Sequence, residues 1–153
     1  MSKASFKVFI TSLIIFISGS SFMPANNYET IEWLTLEEAM KRSEEQHKPV
    51  FVDVLTDWCG WCKHMDKNTF QSPRVMEYVA NNYLAVRLNP EEKGTVTYKK
   101  EKMTKRQFAR KFGVNSYPTI LLLDAKKAGQ AKIGYKEAED FIEMLEEYKK
   151  RRR

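Results

Sequence analysis

Apolar residues recur along the chain in short blocks, and the spacing within each block predicts an element. Thr35 and Glu38 form a capping-box pair ahead of Leu36, Ala39 and Met40, which predicts an amphipathic helix ending near Gln46. Residues 31–34 (IEWL) before it read as a short strand, and Lys48-Pro49 after it break the pattern. Residues 50–55 are a compact branched apolar run, the pattern of a buried strand. Side chains alternate along a strand, so Phe51, Asp53 and Leu55 share one face and Asp53 is an acid among apolar neighbours.

A helix is expected to begin at about Cys59, and Ser72-Pro73 supply the N-cap and first turn of another. Residues 83–88 (YLAVRL) read as a second core strand. The charged run 89–103 reads as a long surface loop, either a tolerated insertion or a partner surface. Thr104 caps a short helix that stops at Gly113; residues 118–124 are a third strand, with 131–135 as its hairpin partner. Ala138, Phe141, Ile142 and Leu145 mark a final amphipathic helix. Strands alternating with helices in this order predict an α/β fold, a small mixed sheet with helices on its faces.

The first residues do not fit that scheme. Lys3 and Lys7 precede a mostly apolar stretch at 8–17, followed by small and polar residues from Ser18 to Ser21 and then Met23-Pro24-Ala25. This is the order of a secretory signal, and ten residues are too few for a membrane span of about 20. Residues 1–25 are therefore expected to be a cleaved signal peptide, with an uncleaved anchor as the less favoured alternative, and 26–153 a single exported domain. Its place is periplasmic or otherwise extracytoplasmic.

Length and composition agree with one domain: 153 residues, 42% hydrophobic, net charge +6. The basic excess lies in 93–111 and at the C-terminus, with no interleaved aromatic motif, so nucleic acid is not an expected partner.

The chemistry is carried by the two cysteines, Cys59 and Cys62. A structural staple works by closing a long loop, and a two-residue gap closes almost none. Haem attachment needs C-x-x-C-H, and Lys63 intervenes before His64. Zinc usually takes four ligands, and His47 has no spacing that joins it to the pair, so no metal site is expected. A reactive pair remains. At a helix N-terminus the unpaired N–H groups favour an anion and lower a thiol pKa, which suits Cys59 as attacking thiolate. Cys62, one turn inside and expected to be the more buried, suits the resolving role.

Residues 52–63 (VDVLTDWCGWCK) and 116–124 (SYPTILLLD) resemble the thioredoxin superfamily, and 48–79 is most similar to exported thioredoxin-like proteins and the C-terminal periplasmic domain of the DsbD disulfide-interchange family. The resemblance covers residues 31–148 and implies a thioredoxin fold with thiol:disulfide oxidoreductase activity. It implies that Asp53 handles the proton of Cys62, that Pro118 is a cis proline facing the disulfide, and that the Tyr117 backbone pairs with substrate. Gly134 falls where the family has a glycine in the following strand. Trp58, Gly60, Trp61, Tyr117 and Pro118 are the expected substrate-binding residues, with Trp33 assigned to the core. Arg87 stands where the family often has a lysine near the acid; it either keeps a charge there or points to solvent. Gly60-Trp61 between the cysteines differs from the Gly-Pro of thioredoxin, so redox poise does not transfer. The expected partners are client proteins with disulfides and a separate membrane or soluble dithiol donor, acting on a monomer without cofactor. Reduction of clients is the expected direction. Oxidase or isomerase activity, and a non-enzymatic binding module, are the alternatives.

Overall fold

A computed structural model describes residues 30–152. The expected signal at 1–25 lies outside them. Strands β1 (Trp33–Leu34), β2 (Val50–Val54), β3 (Leu84–Leu88), β6 (Thr119–Leu123) and β7 (Gln130–Ile133) form one sheet in the order β1-β3-β2-β6-β7. The strands β1, β3 and β2 run parallel, while β6 runs antiparallel to β2 and β7 antiparallel to β6, so the expected mixed sheet is present. Every residue of β2 and β6 is buried, as their unbroken apolar runs demand.

Alternation along those two strands divides the interior into two clusters. Val50, Val52, Val54, Leu121 and Leu123 face one side, where helix α1 (Leu36–Gln46) and helix α4 (Lys105–Lys111) pack. Phe51, Ile120 and Leu122 face the other, against α2 (Gly60–Met65), α3 (Pro73–Asn82) and α5 (Ala138–Arg152). That second side is rich in aromatic contacts: Phe51 meets Phe141 edge-on at 5.4 Å and stacks with Phe70 at 6.0 Å. Asp53 follows Phe51 onto this side, as alternation requires.

Helix ends are mostly made as the sequence predicts. The Thr104 hydroxyl accepts from Gln107 N–H, and the Gln107 side chain reaches back to Thr104 N–H, a complete capping box. At α1 the box is half made: Thr35 accepts from Glu38 N–H at 3.2 Å, but the Glu38 carboxylate turns to Arg42 instead. Ser72 takes the N-cap position of α3 without a side-chain cap bond. After α2 the chain runs on as one π-helical turn, Asp66–Phe70, which no periodicity announced.

The expected surface loop at 89–103 is corrected. It holds an antiparallel hairpin, β4 (Thr95–Tyr98) with β5 (Glu101–Thr104). Val96, Tyr98 and Met103 are buried in the first cluster, and Tyr98 meets Phe108 and Phe112 edge-on at 5.5 Å each. The three inward residues are diluted among lysines, which hid a period-two pattern only four residues long on each strand. The hairpin turns on Lys99 and Lys100, both left-handed with φ of 50° and 68°.

Candidate active site

The pair of cysteines sits where β2 hands over to α2. A turn closed by Cys59 N–H on the Thr56 carbonyl (3.1 Å) places Cys59 as the N-cap of α2. Its sulfur accepts from the Cys62 backbone N–H at 3.1 Å, the bond a capping serine would make. Any negative charge on Cys59 Sγ is met by that donor and by the helix terminus. The two sulfurs are joined in a disulfide with Cα atoms 5.3 Å apart. Cys62 is not the more buried, contrary to the expectation from its place in the helix: the pair are 5% and 6% exposed. The turn from Thr56 folds the chain around Cys59 as closely as the helix encloses Cys62.

Asp53 lies beneath the pair. Its residue partners across the sheet are Arg87 on β3 and Ile120 on β6, so the register puts a guanidinium beside it. Arg87 Nε lies 3.4 Å from Asp53 Oδ2, and its Nη2 donates to Asp66 Oδ1. The same guanidinium covers the Trp33 ring at 4.0 Å. Of the two readings of Arg87, the charge beside the acid is realised. Burial pushes the Asp53 carboxyl up from 3.8 to about 7, an effect Arg87 opposes and Asp66 adds to. A carboxyl with that value exchanges protons readily at neutral pH. A cavity of about 420 Å³ joins Cys62, Asp53, Arg87 and Asp66, so the acid faces both a cysteine and the outside.

Two aromatic walls flank the disulfide. Trp58 is 67% exposed, meets Tyr117 edge-on at 5.8 Å, and donates its indole N–H to Glu91 at 2.9 Å. Trp61, 61% exposed, lies 5.5 Å from Tyr135 and 5.6 Å from His64. The Tyr117–Pro118 peptide bond is cis, and the Pro118 carbonyl accepts from Gly134 N–H at 2.9 Å. Gly134 has φ 92°, a left-handed conformation that favours glycine. Gly60 opens the helix with free space where a side chain would stand.

The fold thus brings Cys59, Cys62, Asp53, Trp58, Gly60, Trp61, Tyr117 and Pro118 to one end of the sheet. Trp33 instead packs inward, on Phe51 and Phe70. His64 joins the rim beside Trp61, whereas the His47 carbonyl accepts from Arg152 at the far end of β6. Among the described residues no group of three or more His, Cys, Asp or Glu is arranged to hold a metal, and no helix is long and apolar enough to cross a membrane. Sequence reasoning missed Asp66, Glu91 and Tyr135. Asp66 and Glu91 carried no local signal, because each acts on a residue 21 or 33 positions away. Tyr135 was detectable only as the aromatic after Gly134.

Residues 36–149 match the family model of the thioredoxin-like domain. The thiol:disulfide interchange protein DsbD of Photorhabdus laumondii is 30% identical over 117 residues, 74% of this chain and 18% of that protein. The chain therefore spans less than a fifth of the length of the curated relatives it matches. Among solved structures, a DsbH oxidoreductase aligns with TM-score 0.64 at 19% identity, covering 85% of this chain and 93% of the other. The reduced C-terminal domain of Neisseria meningitidis DsbD aligns with TM-score 0.56 at 22% identity, covering 73% and 92%. These likenesses agree with the mixed sheet and its flanking helices, the thioredoxin-like fold.

Proposed function

The chain belongs to the thioredoxin-like family, and on that footing we propose that it is an exported thiol:disulfide oxidoreductase that reduces disulfides in client proteins. The observation that carries this reading is the Cys59–Cys62 pair at the first turn of α2, opening on the cavity that Asp53 lines.

In the dithiol form, Cys59 thiolate attacks a client disulfide. One client S–S bond breaks, a Cys59–client bond forms, and the released client thiolate takes a proton from solvent. Asp53, ionised in part near neutral pH, accepts the Cys62 proton, and the Cys62 thiolate displaces the client from Cys59. The client leaves with two electrons and the Cys59–Cys62 disulfide closes. Trp58, Trp61, Tyr117 and Gly60 border the approach to Cys59, and the backbone at Tyr117–Pro118 offers an extended client segment a partner. Turnover requires a separate dithiol donor, in the membrane or soluble, to reopen the disulfide. Residues 1–25 are the export signal in this reading, and the remainder is one thioredoxin-like domain.

Equilibration against glutathione tests the direction. A potential near about −270 mV supports a reductase, whereas about −120 to −180 mV makes the pair an oxidant or isomerase and overturns the proposed direction.

A further inference from the structure

The segment that holds the hairpin and α4 is the most positively charged stretch of the chain outside its C-terminal run. Within residues 93–111, eight side chains are Lys or Arg and one is acidic; the rest of the chain holds 18 Lys and Arg against 19 Asp and Glu. Local pairing does little to neutralise this segment. Lys105 pairs with Glu92 and Lys111 with Glu101, and Lys99 spends its ammonium on the Lys127 carbonyl. Lys93, Lys100, Lys102, Arg106 and Arg110 make no ion pair among the described residues, and all are exposed. Arg106 and Arg110 stand four apart on one helix face, where like charges repel and cost stability.

Part of this charge is fastened to the rim of the disulfide. Three consecutive residues make the join: Glu91 accepts from the Trp58 indole, Glu92 pairs with Lys105 at the start of α4, and Lys93 follows. The Gly94 carbonyl then accepts from Lys105 N–H at 3.4 Å, which joins the backbone next to Lys93 to the start of α4 next to Arg106. From the other side, Tyr117 packs on the cluster that holds Phe108 and Ala109 of α4 while its ring meets Trp58. Arg106 is also close enough to counter the rise that burial and Glu91 impose on the Tyr117 phenol. The patch is pre-ordered, because Val96, Tyr98 and Met103 anchor the hairpin beneath it.

Resting on the oxidoreductase reading, we propose that Lys93, Arg106 and Arg110 form a docking surface for a protein partner that carries acidic residues beside its reactive cysteine. Charge complementarity selects the occupant. A flat anionic bilayer against this side would cover Trp58 and the disulfide, whereas an extended acidic segment lies along α4 and still presents its sulfur to Cys59. The surface raises the encounter rate of such a partner, and salt screens it.

The test uses the full chain, reduced with dithiothreitol and freed of it. Three oxidised substrates are compared by stopped-flow tryptophan fluorescence: two cystine-bridged peptides identical except for Glu or Lys around the cysteine, and uncharged hydroxyethyl disulfide. At about 0.01 M ionic strength the Glu peptide reacts about tenfold faster than the Lys peptide, and the advantage vanishes near about 1 M. In Lys93→Glu/Arg106→Glu/Arg110→Glu the order of the peptides inverts; should that variant misfold, the salt series on the native chain reads the same attraction. Equal peptide rates at low salt, with hydroxyethyl disulfide reduced, overturn the docking surface alone. No reaction with any of the three overturns the oxidoreductase reading and the surface with it. Equal peptide rates together with binding to phosphatidylglycerol vesicles assign the patch to lipid, which also overturns the proposal.

Discussion

Asp53 and Asp124 occupy opposite ends of the antiparallel pair β2–β6, and both are little exposed, at 3% and 5%. Their carboxyls nevertheless depart from the usual range in opposite directions. At Asp53 burial dominates, and one guanidinium at 3.4 Å, shared with Asp66, only partly offsets it, so the carboxyl rises to about 7. At Asp124 burial pushes up as well, but the Lys126 and Lys127 backbone N–H groups donate at 2.7 and 3.1 Å and Arg152 pairs directly. Together these hold the carboxyl below its ordinary value. Burial alone therefore does not make a proton carrier. What separates the two is depth, since far more protein surrounds the Asp53 carboxyl than that of Asp124, and how many donors the backbone and neighbours direct at the charged form. Asp124 ties the β6–β7 turn to the end of α5, a structural task; Asp53 is left short of donors beside a disulfide.

The largest expected effect is at Asp53. A carboxyl raised in the folded state binds more protons there than in the unfolded chain, so its ionisation weakens the fold as pH climbs from about 4 through about 7. Asp53→Asn removes that loss. Urea melts at pH 8 are expected to show the variant more stable by up to about 4 kcal/mol relative to its difference at pH 4. The same variant is expected to reduce client disulfides about 100-fold more slowly at pH 7. A flat pH dependence in the wild type would sink the assignment of Asp53.

Asp124→Asn is expected to do the opposite. It costs about 2 kcal/mol at pH 7, because Arg152 and two turn amides lose a charged acceptor. A depressed carboxyl stabilises the fold above its unfolded value and loses that contribution as pH falls through the folded one. The cost should therefore shrink in strong acid, with activity per folded molecule unchanged. Equal costs at pH 2 and pH 7 would contradict the contrast.

Arg87→Met probes the partial offset. Without the guanidinium, the Asp53 carboxyl moves further up, so the midpoint of the pH–rate profile shifts to higher pH. Asp66→Asn gives the smallest change, in the other direction. It removes a nearby negative charge and frees Arg87 for Asp53, which lowers the midpoint. NMR titration of the Asp53 carboxyl carbon reads both shifts, and movement of the two variants in the same direction would break the account.

Much of the architecture was legible because it repeats local chemistry. The branched run of β2, the capping threonines at 35 and 104 and the spacing in α5 each specify an element within one window. Asp53 stood out for the same reason, as one polar position on an apolar face. The hairpin at 95–104 escaped because three inward residues over two short strands are too few to show a period among lysines. Asp66 and Glu91 escaped because nothing near them in the chain tells what they touch.

By itself the sequence singled out the side chains proposed to carry the chemistry: one C-x-x-C at a strand-to-helix junction and one acid in line with the core. Those follow from periods of 2 and 3.6 residues, which act over a few positions. Only the tertiary structure decided the surroundings of each charge. Strand register set Arg87 opposite Asp53, a π-helical turn carried Asp66 to the same guanidinium, and the turn after β3 delivered Glu91 to Trp58. A pKa depends on burial and on donors a few ångströms away, whatever their distance along the chain. For that reason Asp53 and Asp124, both acids at strand ends in the sequence, part company only when the chain is folded.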